Sequence, residues 1–213
     1  FFNLGWCLKI SIIVFEGIEG TGKSHHINNV AKYLKKRNKA FIKIREPGGS
    51  INSEKIRKLI LNSKSKFNEY TDLLLYLSAR SENIELIKKN IGKKIILIDR
   101  FSDSTIAYQH YGMGVSLKFI KVINNFLLKD ISVDFTFLNT VSEKNMNNRL
   151  KKRKNLNRYD KFNNIFYKKV QKGFIKILKK NPKKYMQINS NMSITHNEKI
   201  ILNKIDNLIW IWI

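Results

Sequence analysis

The segment Gly17-Ile18-Glu19-Gly20-Thr21-Gly22-Lys23-Ser24 follows the apolar run SIIVFE and opens a helical pattern from Lys23 to about Arg37. This G-x-x-x-x-G-K-[ST] spacing constrains the chain more than any other feature, because it requires a strand, a glycine-rich turn and a helix N-terminus in that order. Glycines let consecutive backbone N–H groups turn inward around an anion, and the helix adds its partly positive end. The eight residues are therefore expected to cradle the phosphates of ATP or GTP. Lys23 would reach the β- and γ-phosphates and the Ser24 hydroxyl would bind Mg²⁺. The run KKIILIDR ends in Asp99, whose carboxylate is expected beside the loop, ordering the Mg²⁺ shell.

Strand-like and helix-like patterns alternate through the rest of the chain. AFIKIRE, KIILID, DFTFLN and KYMQIN join SIIVFE as five expected strands. Helical patterns fall near 53–62, 69–90, 103–110 and 117–129, from Ser142, from Phe162 and again toward the C-terminus. Such alternation predicts an α/β fold, a mostly parallel sheet with helices on both faces and ligands at the carboxyl ends of the strands. With two prolines, no linker-like stretch and no internal repeat, one domain spanning 1–213 is expected.

Composition narrows the setting. Cys7 is the single cysteine, which excludes an internal disulfide framework and a cysteine zinc site and points to a reducing, cytoplasmic compartment. Lys9 interrupts the apolar N-terminal run and no small-residue cleavage site follows, so no targeting segment is expected. Neither that run nor the closing LIWIWI has the ~20 apolar residues of a membrane-spanning helix. Lys and Arg number 41 against 16 Asp and Glu, a formal charge of +25. That excess could neutralise nucleic-acid phosphates, but lysine is spread over every face, and specific nucleic-acid binding is not expected. The histidines at 25, 26, 110 and 196 lack metal-ligand spacing and are read as structural or solvated.

Three further segments point to a reaction. Arg45-Glu46-Pro47-Gly48-Gly49 follows the second strand, and Leu75-Tyr76-Leu77-Ser78-Ala79-Arg80 lies on the long helix. Asp99-Arg100-Phe101-Ser102-Asp103-Ser104-Thr105-Ile106-Ala107-Tyr108-Gln109 follows the third strand. Together with the phosphate loop they resemble thymidylate kinase, the family that phosphorylates dTMP to dTDP with ATP, over nearly the whole chain from Ile10. The resemblance implies a P-loop NTPase fold, MgATP as donor and a homodimer formed through helices near the acceptor side.

Tyr76 and Arg80 stand four apart on a helix and share a face, so a ring can stack on a flat base while guanidinium N–H groups bond its edge. The resemblance assigns them to thymine, although the stacking residue in the family is usually Phe. It further places Thr105 and Gln109 on the base, Tyr108 against the sugar, where a 2′-hydroxyl would lie, and Ser104 among the substrate-binding residues. Arg57 and Arg100 would grip the acceptor phosphate, since the planar Arg fork matches phosphate oxygens. Glu19 would address the acceptor's 3′-hydroxyl, and the turn of Arg45 and Pro47, the latter able to be cis, would shape the acceptor side.

Phosphoryl transfer needs alignment and charge neutralisation more than covalent help. No arginine lies within the phosphate loop, so the run Arg149-Leu150-Lys151-Lys152-Arg153-Lys154-Asn155-Leu156-Asn157-Arg158 is expected to act as a short basic lid over 149–160. It resembles the lid of the bacterial class, with Arg153 or Arg149 bridging the phosphates and Arg158 close by; a solvated basic helix end is the alternative. Asn157 stands where the family usually has Asp, Asp160 where Glu is common, and Met113 where Arg is frequent. Two rival functions remain: another nucleoside or nucleotide kinase of this fold, and an ATP-switched nucleic-acid-binding protein.

Overall fold

The computed structural model describes residues 10–154 and 156–209. Expectations resting on Cys7, on Lys9 and its neighbours, on Asn155 and on the last four residues fall outside that range. Five strands, β1 (Ile12–Glu16), β2 (Phe41–Arg45), β3 (Ile95–Asp99), β4 (Phe135–Thr140) and β5 (Tyr185–Asn189), form one sheet in the order β2-β3-β1-β4-β5. Every pairing is parallel.

The three inner strands are the most apolar, as strands covered on both faces must be. Alternate residues feed different cores. Ile13, Phe15, Leu97 and Phe137 pack with Ile27, Val30 and Leu34 of α1 (Lys23–Lys36) and with Ile201 and Ile205 of α8 (Ile194–Ile209). Ile12, Val14, Ile96 and Ile98 face the other way, toward Ile84 and Ile87 of α3 (Glu69–Asn90). The edge strands carry exposed Lys43, Arg45, Gln187 and Asn189 at alternate positions, which keeps their free edges from pairing with other chains.

Helix α2 (Ile51–Leu61) begins where the Ser50 side chain accepts from Ser53 N. Asn68 caps α3 by accepting from Thr71 N at 2.8 Å. Residues 103–110, expected as ordinary helix, form a short α4 (Ser102–Thr105) that widens into a π-helical stretch, Ile106–Gly112. Met113 N donates to Tyr108 O, five residues back. Beyond it come α5 (Leu117–Leu127), α6 (Glu143–Lys151) and α7 (Asn164–Lys180). The π stretch packs closely on α7, where a Cβ on Gly112 would lie 2.6 Å from Phe166 and one on Gly173 2.5 Å from Tyr111. No helix among the described residues is long and apolar enough to cross a membrane.

Helix propensity alone favours Gly173→Ala by up to ~1 kcal/mol. Crowding against the Tyr111 ring and its Cβ should reverse the sign and cost about 1–3 kcal/mol, which urea unfolding of the two proteins would measure.

Candidate active site

Phe15 of β1 and Arg45 of β2 both stand opposite Asp99 of β3, so the loops leaving these parallel strands meet at their carboxyl ends. A cleft of about 200 Å³ opens there. Glu19, Lys23, Ser24 and Asp99 line it on the phosphate-loop side, Arg57, Tyr76, Tyr108 and Gln109 on the other, with Arg45, Pro47 and Arg100 between.

The loop follows its expected geometry. Gly17 has φ 135°, and a Cβ there would lie 2.2 Å from Asn139 O, so only glycine fits. Gly20 and Gly22 are left-handed, at φ 71° and 81°, a conformation with low cost only for glycine. Lys23 Nζ donates to Gly17 O and Ile18 O, each at 2.8 Å, and to Thr21 Oγ1 at 3.2 Å. Burial, followed by the nearby Arg100 charge, pulls its ammonium down to about 7. Ser24 Oγ donates to Asp99 Oδ2 at 3.0 Å. This pair of hard oxygen donors fits Mg²⁺, which takes its remaining ligands from water and phosphate. Among the described residues no group of three or more His, Cys, Asp or Glu side chains would hold a metal by itself.

Arg100 joins the two halves. Its backbone is left-handed at φ 68°. Nη1 donates to Gly17 O at 2.8 Å and to Tyr108 Oη at 3.1 Å, and Nη2 to Glu19 Oε1 at 2.7 Å. Tyr108 Oη donates to Glu19 Oε2 at 2.5 Å. Burial opposes ionisation of Glu19, but Arg100 and then Lys23 overcome it and hold the carboxyl below the usual carboxylate range. An acidic residue inside a phosphate loop is tolerated here because it faces Arg100 and Tyr108.

On the acceptor side the Glu46–Pro47 peptide is cis. Pro47 O accepts from Arg57 Nη1 at 2.6 Å, while Arg45 pairs with Glu54 at 3.0 Å. Burial pushes the Tyr76 hydroxyl up to about 12, so it stays neutral. The expected partnership of Tyr76 with Arg80 is not what the structure shows. Arg80 is 1% exposed and lies behind the wall, donating to Glu46 Oε2 at 2.8 Å, Asn124 Oδ1 at 2.7 Å and Thr105 Oγ1 at 2.9 Å. Thr105 is drawn behind the wall with it. A buried guanidinium needs a counter-ion and acceptors, and Glu46, part of the REPGG segment but given no role from sequence, provides the charge. Ser104 lines the cleft, yet its hydroxyl donates to Glu16 at 2.6 Å.

The basic run divides in the same way. Arg153 lines the cleft and pairs with Asp160. Arg149, expected to bridge phosphates, is engaged elsewhere: its fork donates to Gly20 O and Ser190 O, each at 2.7 Å, tying the phosphate loop to the loop after β5. Arg158 is turned away too, held by Asp72 and by Ile60 O at 3.1 Å. Asn157 suits its place, since its side chain donates to Asp160 Oδ2 at 2.7 Å and accepts from Tyr159 N at 2.8 Å. Met113 packs against the apolar cluster of Tyr108 and Phe174. Asp72 and Tyr159 escaped the sequence reading: an acid in a helix's first turn reads as dipole compensation, and nothing local marks Tyr159 as a cleft residue.

Glu16, at the end of β1, also carried no signal. Its buried carboxyl group accepts from Phe101 N at 2.8 Å, Ser104 N at 3.2 Å and the Ser104 hydroxyl, fixing the turn that presents Arg100. Burial, reinforced by Asp103, pushes its pKa up from 4.5 to about 8. A carboxyl whose folded pKa is raised lends stability that is complete below about 4.5 and lost as the pH climbs to about 8. Glu16→Gln should therefore remove a downward slope approaching ~1.4 kcal/mol per pH unit across that window. Parallel pH profiles of unfolding free energy for variant and parent would contradict this.

Comparison with known proteins agrees with this geometry. The family model described as thymidylate kinase matches residues 15–201. The chain is 39% identical over 169 residues to a thymidylate kinase of Thermosipho africanus, covering 78% of this chain and 84% of that one. It is 35% identical over 202 residues to one from Mycoplasma capricolum, covering 91% and 95% respectively. The crystal structure of thymidylate kinase from Ehrlichia chaffeensis superposes with a TM-score of 0.74 at 30% identity, over 92% of this chain and 98% of that one. With its phosphate loop, REPGG turn and DR segment gathered on one cleft, the chain belongs to the thymidylate kinase family.

Proposed function

We propose that this chain transfers the γ-phosphoryl group of ATP to dTMP, yielding dTDP and ADP. One observation carries the reading. The phosphate loop with Lys23 and the aromatic slot of Tyr76 and Tyr108 open into the same cleft, so donor and acceptor can meet without either leaving its site.

In this reading Gly17 to Ser24 hold the donor phosphates through backbone N–H groups. Lys23 releases its carbonyl contacts to reach the β- and γ-oxygens. Ser24 and Asp99 hold Mg²⁺, which would screen the charge on the donor phosphates. Tyr76 stacks on thymine, and Gln109 addresses its edge. Tyr108 fills the space beside the sugar, which disfavours a 2′-hydroxyl, and Glu19 faces the 3′-hydroxyl. Arg57 and Arg100 take the acceptor phosphate, with Arg45 and Pro47 shaping the wall. Arg153 is the lid residue placed to meet charge developing on the migrating group. Arg80, Thr105, Arg149 and Arg158 support these groups from behind. Residues 1–213 act as one kinase domain with its lid near 149–160.

The chain also has a surface suited to a second copy. Tyr70 and Leu74 of α3 and Phe119, Val122 and Phe126 of α5 are exposed, Phe126 by 81%, and Tyr70 and Phe119 are in edge contact at 6.0 Å. Adjacent helices presenting one apolar stripe support a homodimer.

Steady-state assays with ATP and dTMP, dUMP, dCMP, dGMP or AMP should show dTMP strongly preferred; equal turnover of AMP and dTMP rejects the thymine reading. Arg153→Ala should lower kcat about 10²-fold or more, as loss of a group stabilising transition-state charge does, while dTMP affinity changes little. Unchanged turnover would remove Arg153 from that role. Light scattering on Phe126→Glu should report a monomer where the parent is a dimer.

A further inference from the structure

Asp72, in the first turn of α3, is 1% exposed and does not line the cleft. Three donors converge on it: the Arg158 guanidinium, the Tyr159 hydroxyl and, at 3.0 Å, Gln109 Nε2. They come from the lid and the π-helical stretch, segments far apart in sequence that have no other shared carboxylate among these bonds. Arg158 is held on further sides. Its Nε donates to Ile60 O at 3.1 Å and its backbone N to Leu61 O at 3.3 Å, and the guanidinium lies 5.2 Å over the Phe67 ring. The C-terminal root of the lid is thereby fastened to the end of α2 and the start of α3.

From that root the chain of contacts runs straight to the cleft. Asn157 bonds Asp160 through both its backbone N and its side chain, and Asp160 receives Arg153. Tyr159 stands edge-on to Tyr76 and to Tyr108, each at 5.8 Å, and both rings line the cleft.

We propose that Asp72 is a positioning residue for phosphoryl transfer: by gripping Arg158 and Tyr159 it sets the root of the lid, and so the distance of Arg153 from the migrating group. This rests on the kinase reading above. Asp72 touches neither nucleotide in that reading, so its loss acts through geometry, where a displacement near 1 Å at the reacting centre costs up to ~10²-fold in rate.

Asp72→Asn keeps the size but replaces one acceptor oxygen with an NH₂ group that opposes the converging donors. It should lower kcat with dTMP about tenfold or more and leave the KM for ATP within about threefold, while the KM for dTMP rises by less than kcat falls because Gln109, which addresses thymine, loses one acceptor. Arg158→Gln, changed from the lid side, should show the same split, and the double variant should be no slower than the slower single one, because both act through one contact. ADP formed per dTDP should rise above one, as a loosened lid admits water. Should Asp72→Asn not fold, Arg158→Gln alone decides. Turnover within twofold of the parent, losses that multiply in the double variant, or KM values rising in step with the fall in kcat would each overturn the proposal. A parent enzyme without dTMP kinase activity would instead refute the functional reading.

Discussion

The Arg100 guanidinium is the contact on which both halves of the site depend. It bonds the first carbonyl of the phosphate loop, the Glu19 carboxylate and the Tyr108 hydroxyl together. Its backbone is held left-handed, a conformation that costs a non-glycine residue about 1–3 kcal/mol and persists only where surroundings impose it. Here the surroundings are Glu16, which accepts from the next N–H along the chain, and Phe15 O, which accepts from Arg100 N at 3.0 Å. In the site this strain falls on the residue that must face the phosphate loop and the acceptor slot at once.

Charge in the cleft follows from the same arrangement. Lys23, Arg45, Arg57, Arg100 and Arg153 surround a space suited to one nucleoside triphosphate and one nucleoside monophosphate, and without compensation they would repel one another. Glu19, Glu54, Asp99 and Asp160 lie among them, each within bonding distance of a cation or of the hydroxyl beside one. These pairs hold the cations in place before any anion arrives, which reduces the reorganisation left for binding. The buried pair of Arg80 with Glu46 serves a different end, bracing α3 against the REPGG turn so that Tyr76 keeps its station.

The basic run from Arg149 to Arg158 shows how residue type alone misleads. Three arginines in one run look interchangeable, yet each meets different neighbours. Arg149 reaches two backbone carbonyls, Arg158 a buried carboxylate, and Arg153 the cleft. Asn157 and Asp160 make a closed set of bonds, because an Asn side chain can accept from the backbone and donate to a carboxylate together.

Local sequence was sufficient for the strands, the long helices and the phosphate loop. Each of these depends on a short-range pattern: apolar runs, helical periodicity, or glycines at set spacing. The π-helical widening after α4, the retreat of Arg80 and Thr105 behind the wall, and the separate fates of Arg149 and Arg158 were decided only by tertiary structure. So were the roles of Glu16, Asp72 and Tyr159. A buried charge takes whichever partner the packed elements bring within reach, and Asp72 meets Arg158 across 86 positions of sequence, a separation at which no local pattern carries information about contact.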